Sequence, residues 1–167
     1  MFIVWLSGIA TLVMFAGIAW YLAPLYPGAV LLEFAFTPKS FGTVIHAWPA
    51  EYLLRYRGFL SLNFLLLGCY GFFGYFFVSR SPLFSRYSSG MRTVTAWALP
   101  VAAALGAAGN TLHAWLTAAP RFGVPPAYAL AATFAVFKWL ILAGFMLAVV
   151  HALLRDEGAS ETRISRR

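Results

Sequence analysis

The chain has 167 residues, of which 62% are hydrophobic and 10% charged, where soluble domains carry roughly 45–50% apolar and about 25% charged residues. This balance excludes a soluble single domain, which could not coat its surface, and excludes disorder, which needs few apolar residues and many charges. The net charge of +7 comes from 12 basic and 5 acidic residues, and the basic ones sit mostly between apolar runs and in the tail, so topology explains them better than nucleic-acid binding does.

Four apolar runs are long enough to cross a bilayer, which takes about 20 residues. They fall near 2–22, 58–78, 94–118 and 127–154. Each is apolar on all sides, as a spanning helix is. The first lacks a basic leader, and its apolar stretch exceeds the core of a signal peptide (about 7–15 residues), so it reads as a retained span. The expectation is an all-α integral membrane protein: an antiparallel four-helix bundle forming one domain over 1–155, with a polar, frayed tail over 156–167.

Loop one, roughly 23–57, is too long for a simple turn. Thr37-Pro38 offers an N-cap followed by proline at the first helical position. Phe41, Val44, Ile45 and Trp48 then recur at helical spacing, with Lys39 and His46 opposite. This predicts a short amphipathic helix in the outer interface, ended by Pro49. A second stretch, 50–57, leads into span two. Trp5, Trp20, Tyr21, Trp48, Tyr52, Tyr56, Trp115 and Tyr128 fall mostly near span ends, as in an aromatic belt. Rows of small residues are expected to let the helices approach closely. These are Gly68, Gly71 and Gly74 in span two, Ala102, Gly106 and Asn110 in span three, and Gly144, Ala148 and Ala152 in span four. Pro100 is expected to kink span three.

Orientation follows from the flanking cations. Arg80, Arg86, Arg92, Arg155, Arg163, Arg166 and Arg167 lie on one side; Lys39, Arg55, Arg57 and Arg121 lie on the other. The majority side reads as cytoplasmic, with both termini inside and loops one and three outside.

The polar residues within the spans carry the functional signal. Lys138 lies roughly 16 Å below the outer end of span four at 1.5 Å per residue, where a charge costs about 3 kcal/mol even on lenient scales. No span contains an acid. The lysine either snorkels or forms a structural link, or it serves a ligand head group or a proton relay. Its candidate partners are Glu33, Glu51, the Asn110 amide, freed backbone or an aromatic face. Asn110, His113 and Thr117 share one face of span three, and Asn63 lies in the outer part of span two. Interhelical bonding is the ordinary use of such asparagines. Together, Asn63, Asn110, His113 and Lys138 share the outer leaflet, and Glu33 could fold down onto them. The three histidines are scattered, so no metal site and no cofactor is expected. Cys69 is a small packing residue.

At Leu32-Glu33-Phe34-Ala35-Phe36-Thr37-Pro38 and the Trp48 segment after it, then Leu62-Asn63-Phe64 with Tyr70-Gly71, and Gly109-Asn110, the chain resembles a group of small bacterial four-span membrane proteins. Asn63 stands where that group has aspartate, and Gly109 where it has glutamate. The resemblance implies a protein of the bacterial inner membrane and no established activity. In span number and its long first outer loop the chain is also similar to the sterol-isomerase and sigma-2-receptor superfamily, whose members bind amphiphilic cations or sterols through buried carboxylates, where this chain buries a lysine.

Three functional readings follow. The first is a membrane protein that binds a lipid-like or isoprenoid amphiphile in an outer-leaflet polar pocket formed by Lys138, His113, Asn110, Asn63 and Glu33. The second is an accessory subunit with a membrane-protein partner. The third is an intramembrane enzyme acting on a lipid or isoprenoid, with His113 as general base and Lys138 as electrostatic stabiliser. No nucleophile with an adjacent base is readable, and no channel-lining pattern is visible.

Overall fold

A computed structural model of the chain describes residues 2–119, 121 and 123–164, with side chains through Arg155. Its elements are α1 (Phe2–Leu22), α2 (Val30–Glu33), α3 (Pro38–Ala47), α4 (Ala50–Arg80), a 3-10 turn (Pro82–Phe84), α5 (Ser89–Ala118) and α6 (Pro125–Ile164). Four of them, α1, α4, α5 and α6, are long and apolar enough to cross a membrane.

These four pack in the order α1 on α4, α4 on α5, and α5 on α6. Neighbours run antiparallel, as residue pairs along the seams show; on α5 and α6, Gly106 lies against Lys138 and Gly109 against Phe134. On α1 and α4, Gly8 faces Phe73, Met14 meets Cys69, and Tyr21 lies over Gly58. On α4 and α5, Gly74 faces Leu99, Gly71 faces Ala103, Leu67 faces Gly106, and Asn63 meets Asn110. Small residues set the closeness of that second seam. A Cβ on Gly74 would stand 2.5 Å from Leu99 Cβ, and one on Gly71 would stand 3.3 Å from Ala103 Cβ. Gly68 and Gly144 face open space instead, so these two members of the predicted small-residue rows make no close approach. Pro100 lies within a continuous α5.

Inside the spans, hydroxyls have no water to bond and turn back to their own helix. Ser7 donates to Ile3 O, Thr11 to Ser7 O, and Thr95 to Met91 O. The helix ends recruit arginines. Arg55 donates to Tyr21 O at the end of α1, Arg92 to Ser79 O at the end of α4, and Arg121 to Trp115 O near the end of α5. Cations at C-termini satisfy orphan carbonyls and complement the dipole. This gives Arg55, which stands on the side with fewer cations, a structural use.

Loop one is folded onto the bundle. Thr37 caps α3 by accepting from Ser40 N at 3.1 Å, and the Ser40 hydroxyl accepts in return from Thr37 N. Phe41 and Val44 point from α3 into a core that also contains Leu25, Leu32, Trp48, Tyr56, Phe59, Leu116 and Tyr128. The apolar face of the amphipathic helix therefore meets protein, while Lys39 and His46 are exposed. Trp48, Tyr56 and Tyr128 are buried, and so do not belong to an aromatic belt; Trp5, Trp20 and Trp115 are exposed as a belt requires. The Trp48 indole N–H donates to Pro27 O at 2.8 Å, fastening the two ends of the loop.

The stretch 50–57 continues into α4 as one helix, and α5 begins earlier than its apolar run because Ser88 caps it at Met91 N. Helix α6 continues through Ile164, where a frayed tail was expected from 156. Glu157, Ala159, Glu161 and Arg163 there are good helix formers, and no proline stops the run. Residues 165–167 of the predicted tail lie outside the described part.

Candidate functional site

Lys138 lies roughly 20 Å along α6 from Pro125 at 1.5 Å per residue and is only 8% exposed. Helical side chains lean toward the N-terminus, so the lysine reaches toward the start of α6. Gly106 of α5 makes room for it. A Cβ there would stand 3.3 Å from Lys138 Cδ and 2.6 Å from Leu67 Cδ2.

The ammonium meets Glu33 Oε2 at 2.8 Å, with side-chain exposures of 10% for the lysine and 18% for the glutamate. The Trp139 indole N–H donates to the same oxygen at 2.9 Å. Glu33 is delivered by α2, a single turn anchored by the fully buried Leu32. Both α2 and α3 pack on α6. Loop one thus supplies the acid that the apolar runs 2–22, 58–78, 94–118 and 127–154 lack. Pairing offsets the penalty of an isolated buried cation. A buried pair of this kind is weak evidence for net stabilisation, because two charges had to be desolvated to make it.

A second pairing lies on the α4–α5 seam. Asn63 Nδ2 donates to Asn110 Oδ1 at 3.1 Å, and both residues are buried. Asn110 stands one turn from Gly106, on the face along which the lysine chain passes. Its own Nδ2 is buried and has no hydrogen-bond partner among the described residues. The Tyr70 hydroxyl, seven residues from Asn63 and so on the same face of α4, is likewise buried and unpartnered. Native interiors leave few such groups.

His113 forms the third pairing, through Nδ1 to the Tyr56 hydroxyl. Phe41 of loop one meets the imidazole in a T-shaped contact, with centroids 5.8 Å apart. Thr117, on the same face as His113, donates to the His113 carbonyl at 2.7 Å.

The five predicted residues thus come from α2 (Glu33), α4 (Asn63), α5 (Asn110 and His113) and α6 (Lys138), under or within reach of loop one. They form three bonded sets. Glu33 joins Lys138, Asn63 joins Asn110, and His113 turns to Tyr56. Two participants were not singled out from the sequence. Trp139 neighbours Lys138 in the chain, and that adjacency was its only signal. Tyr56 sits seven residues before Asn63, a helical spacing that places both on the α5-facing side.

Chemically the site is rich in donors. An ammonium and an indole N–H share one carboxylate oxygen, and an amide N–H and a phenol are unused. Such a set suits an anion with several acceptor oxygens. No protein-family profile matches the chain, and no curated protein or solved structure matches it.

Proposed function

We propose that the protein binds a lipid-like or isoprenoid amphiphile with an anionic head group in the outer half of the bundle. The head exchanges for the Glu33 carboxylate at Lys138. The Asn110 amide donates to it, and the tail lies between aromatic and aliphatic side chains toward lipid. The supporting observation is the buried, unpartnered Asn110 Nδ2 on the face that the Lys138 chain crosses. An unused donor near a buried cation is relieved by an incoming acceptor. Glu33 then acts as a resident substitute that keeps the lysine compensated until the ligand arrives, and loop one moves with it. The excess of arginines around loop two and the tail favours cytoplasmic termini, and the resemblance to small bacterial four-span proteins favours the bacterial inner membrane.

Native mass spectrometry of detergent-purified protein with oleate or farnesyl phosphate tests this reading. The wild type should retain the amphiphile, Lys138→Met should lose it, and Glu33→Gln should hold it more tightly, because the competing carboxylate is gone. Equal retention by Lys138→Met, or parallel loss in both variants, would reduce the ion pair to architecture.

A further inference from the structure

A second candidate site lies at the other end of the bundle, between the end of α4 and the start of α5. A cleft of about 320 Å³ there is lined by Tyr75, Ser79, Arg92, Thr93, Ala96 and Trp97. We propose that this cleft seats the phosphate of an anionic phospholipid from the leaflet on the arginine-rich side.

Three observations converge on it. First, Arg92 is held in place: its Nε donates to Val78 O at 3.4 Å and its Nη2 to Ser79 O. A guanidinium carries five N–H donors, so these bonds fix its orientation and leave donors for a ligand. Second, Tyr75 and Trp97 stack edge to face, with centroids 5.5 Å apart and both rings partly exposed. Amphipathic rings of this kind sit at headgroup level, and their faces can carry the first acyl carbons. Third, the segment from Ser79 to Thr93 contains Arg80, Arg86 and Arg92 and no acid. Arg86 is turned away to Arg155 O at 2.7 Å, and Arg80 lies over the Phe76 ring, so Arg92 is the cation that lines the cleft. Basic pockets between spans on this side are chemically suited to anionic head groups.

The test is native mass spectrometry of the full chain titrated with phosphatidylglycerol or phosphatidylcholine. Wild type should retain phosphatidylglycerol in preference to phosphatidylcholine. Arg92→Gln should weaken phosphatidylglycerol binding about fivefold, the effect of one surface cation on an anionic lipid. Thr93→Trp keeps the arginine and fills the cleft, and should produce a similar loss. Arg86→Gln should leave this binding unchanged, and in a Lys138→Met background, which removes the outer site, Arg92→Gln should still produce its loss; this separates the cleft from the outer site. Undiminished phosphatidylglycerol binding by both Arg92→Gln and Thr93→Trp overturns the proposal. So does equal binding of phosphatidylcholine, or displacement of the lipid by inorganic phosphate. Circular dichroism and elution volume identify any variant that has failed to fold; if Arg92→Gln fails, Thr93→Trp decides alone.

Discussion

Neutralising Lys138 and Glu33 singly and together tests how strongly loop one is fastened to α6. At 2.8 Å, two unit charges attract by about 6 kcal/mol at an effective dielectric constant near 20. Desolvation opposes most of that. Exposed pairs retain about 0.2–1 kcal/mol, and breaking a buried pair costs about 3–5 kcal/mol. With 10% and 18% of the two side chains exposed, this pair falls nearer the buried limit, and a coupling energy of about 2–3 kcal/mol is expected. Lys138→Met leaves a carboxylate held by Trp139 alone. Glu33→Gln leaves the ammonium with a neutral carbonyl acceptor. Each should lower stability on its own, and the double variant should be less destabilised than the two effects combined. The assay is reversible unfolding in mixed micelles, followed by far-ultraviolet circular dichroism. Additive single effects, with coupling under about 0.5 kcal/mol, would refute the reasoning.

Two further outcomes follow from packing. Gly74→Ala forces a Cβ to within 2.5 Å of Leu99 Cβ and should destabilise the α4–α5 seam by about 1–3 kcal/mol, whereas Gly144→Ala, facing open space, should be neutral or stabilising by up to about 1 kcal/mol; thermal denaturation in detergent separates them. Tyr56→Phe removes the hydroxyl bonded to His113 and should cost about 1 kcal/mol in the same measurement, with little change in helix content.

The spans were legible because a 20-residue apolar run has few other physical outcomes, and the α3 cap was legible because Thr37, Pro38 and Ser40 act locally. Seam geometry was legible only in part. Gly71 and Gly74 form a close contact while Gly68 at the same spacing does not, since spacing shows which residues share a face but not which neighbour covers it. The packing of loop one was harder to read. Phe41 and Val44 mark an apolar face whether lipid or protein covers it, and only the fold shows that Tyr128 and His113 do. The cost of burying Lys138 required a partner and left Glu33 among several candidates; the turn of helix at Val30–Glu33 that delivers it depends on long-range packing around Leu32. Tyr56 looked like an interface aromatic because its distance from the span end says nothing about rotation into the core.

The most direct test of the proposed exchange follows the Trp139 indole N–H by nitrogen-15 NMR, with the signal assigned by its disappearance in Trp139→Phe. This proton is donated to Glu33 Oε2 and so reports whether that carboxylate stays. Addition of farnesyl phosphate should move the resonance to a new, saturable position, and Lys138→Met should abolish the response. A Trp139 signal that stays fixed at saturating amphiphile, while other indole signals shift, would contradict displacement of Glu33 from Lys138.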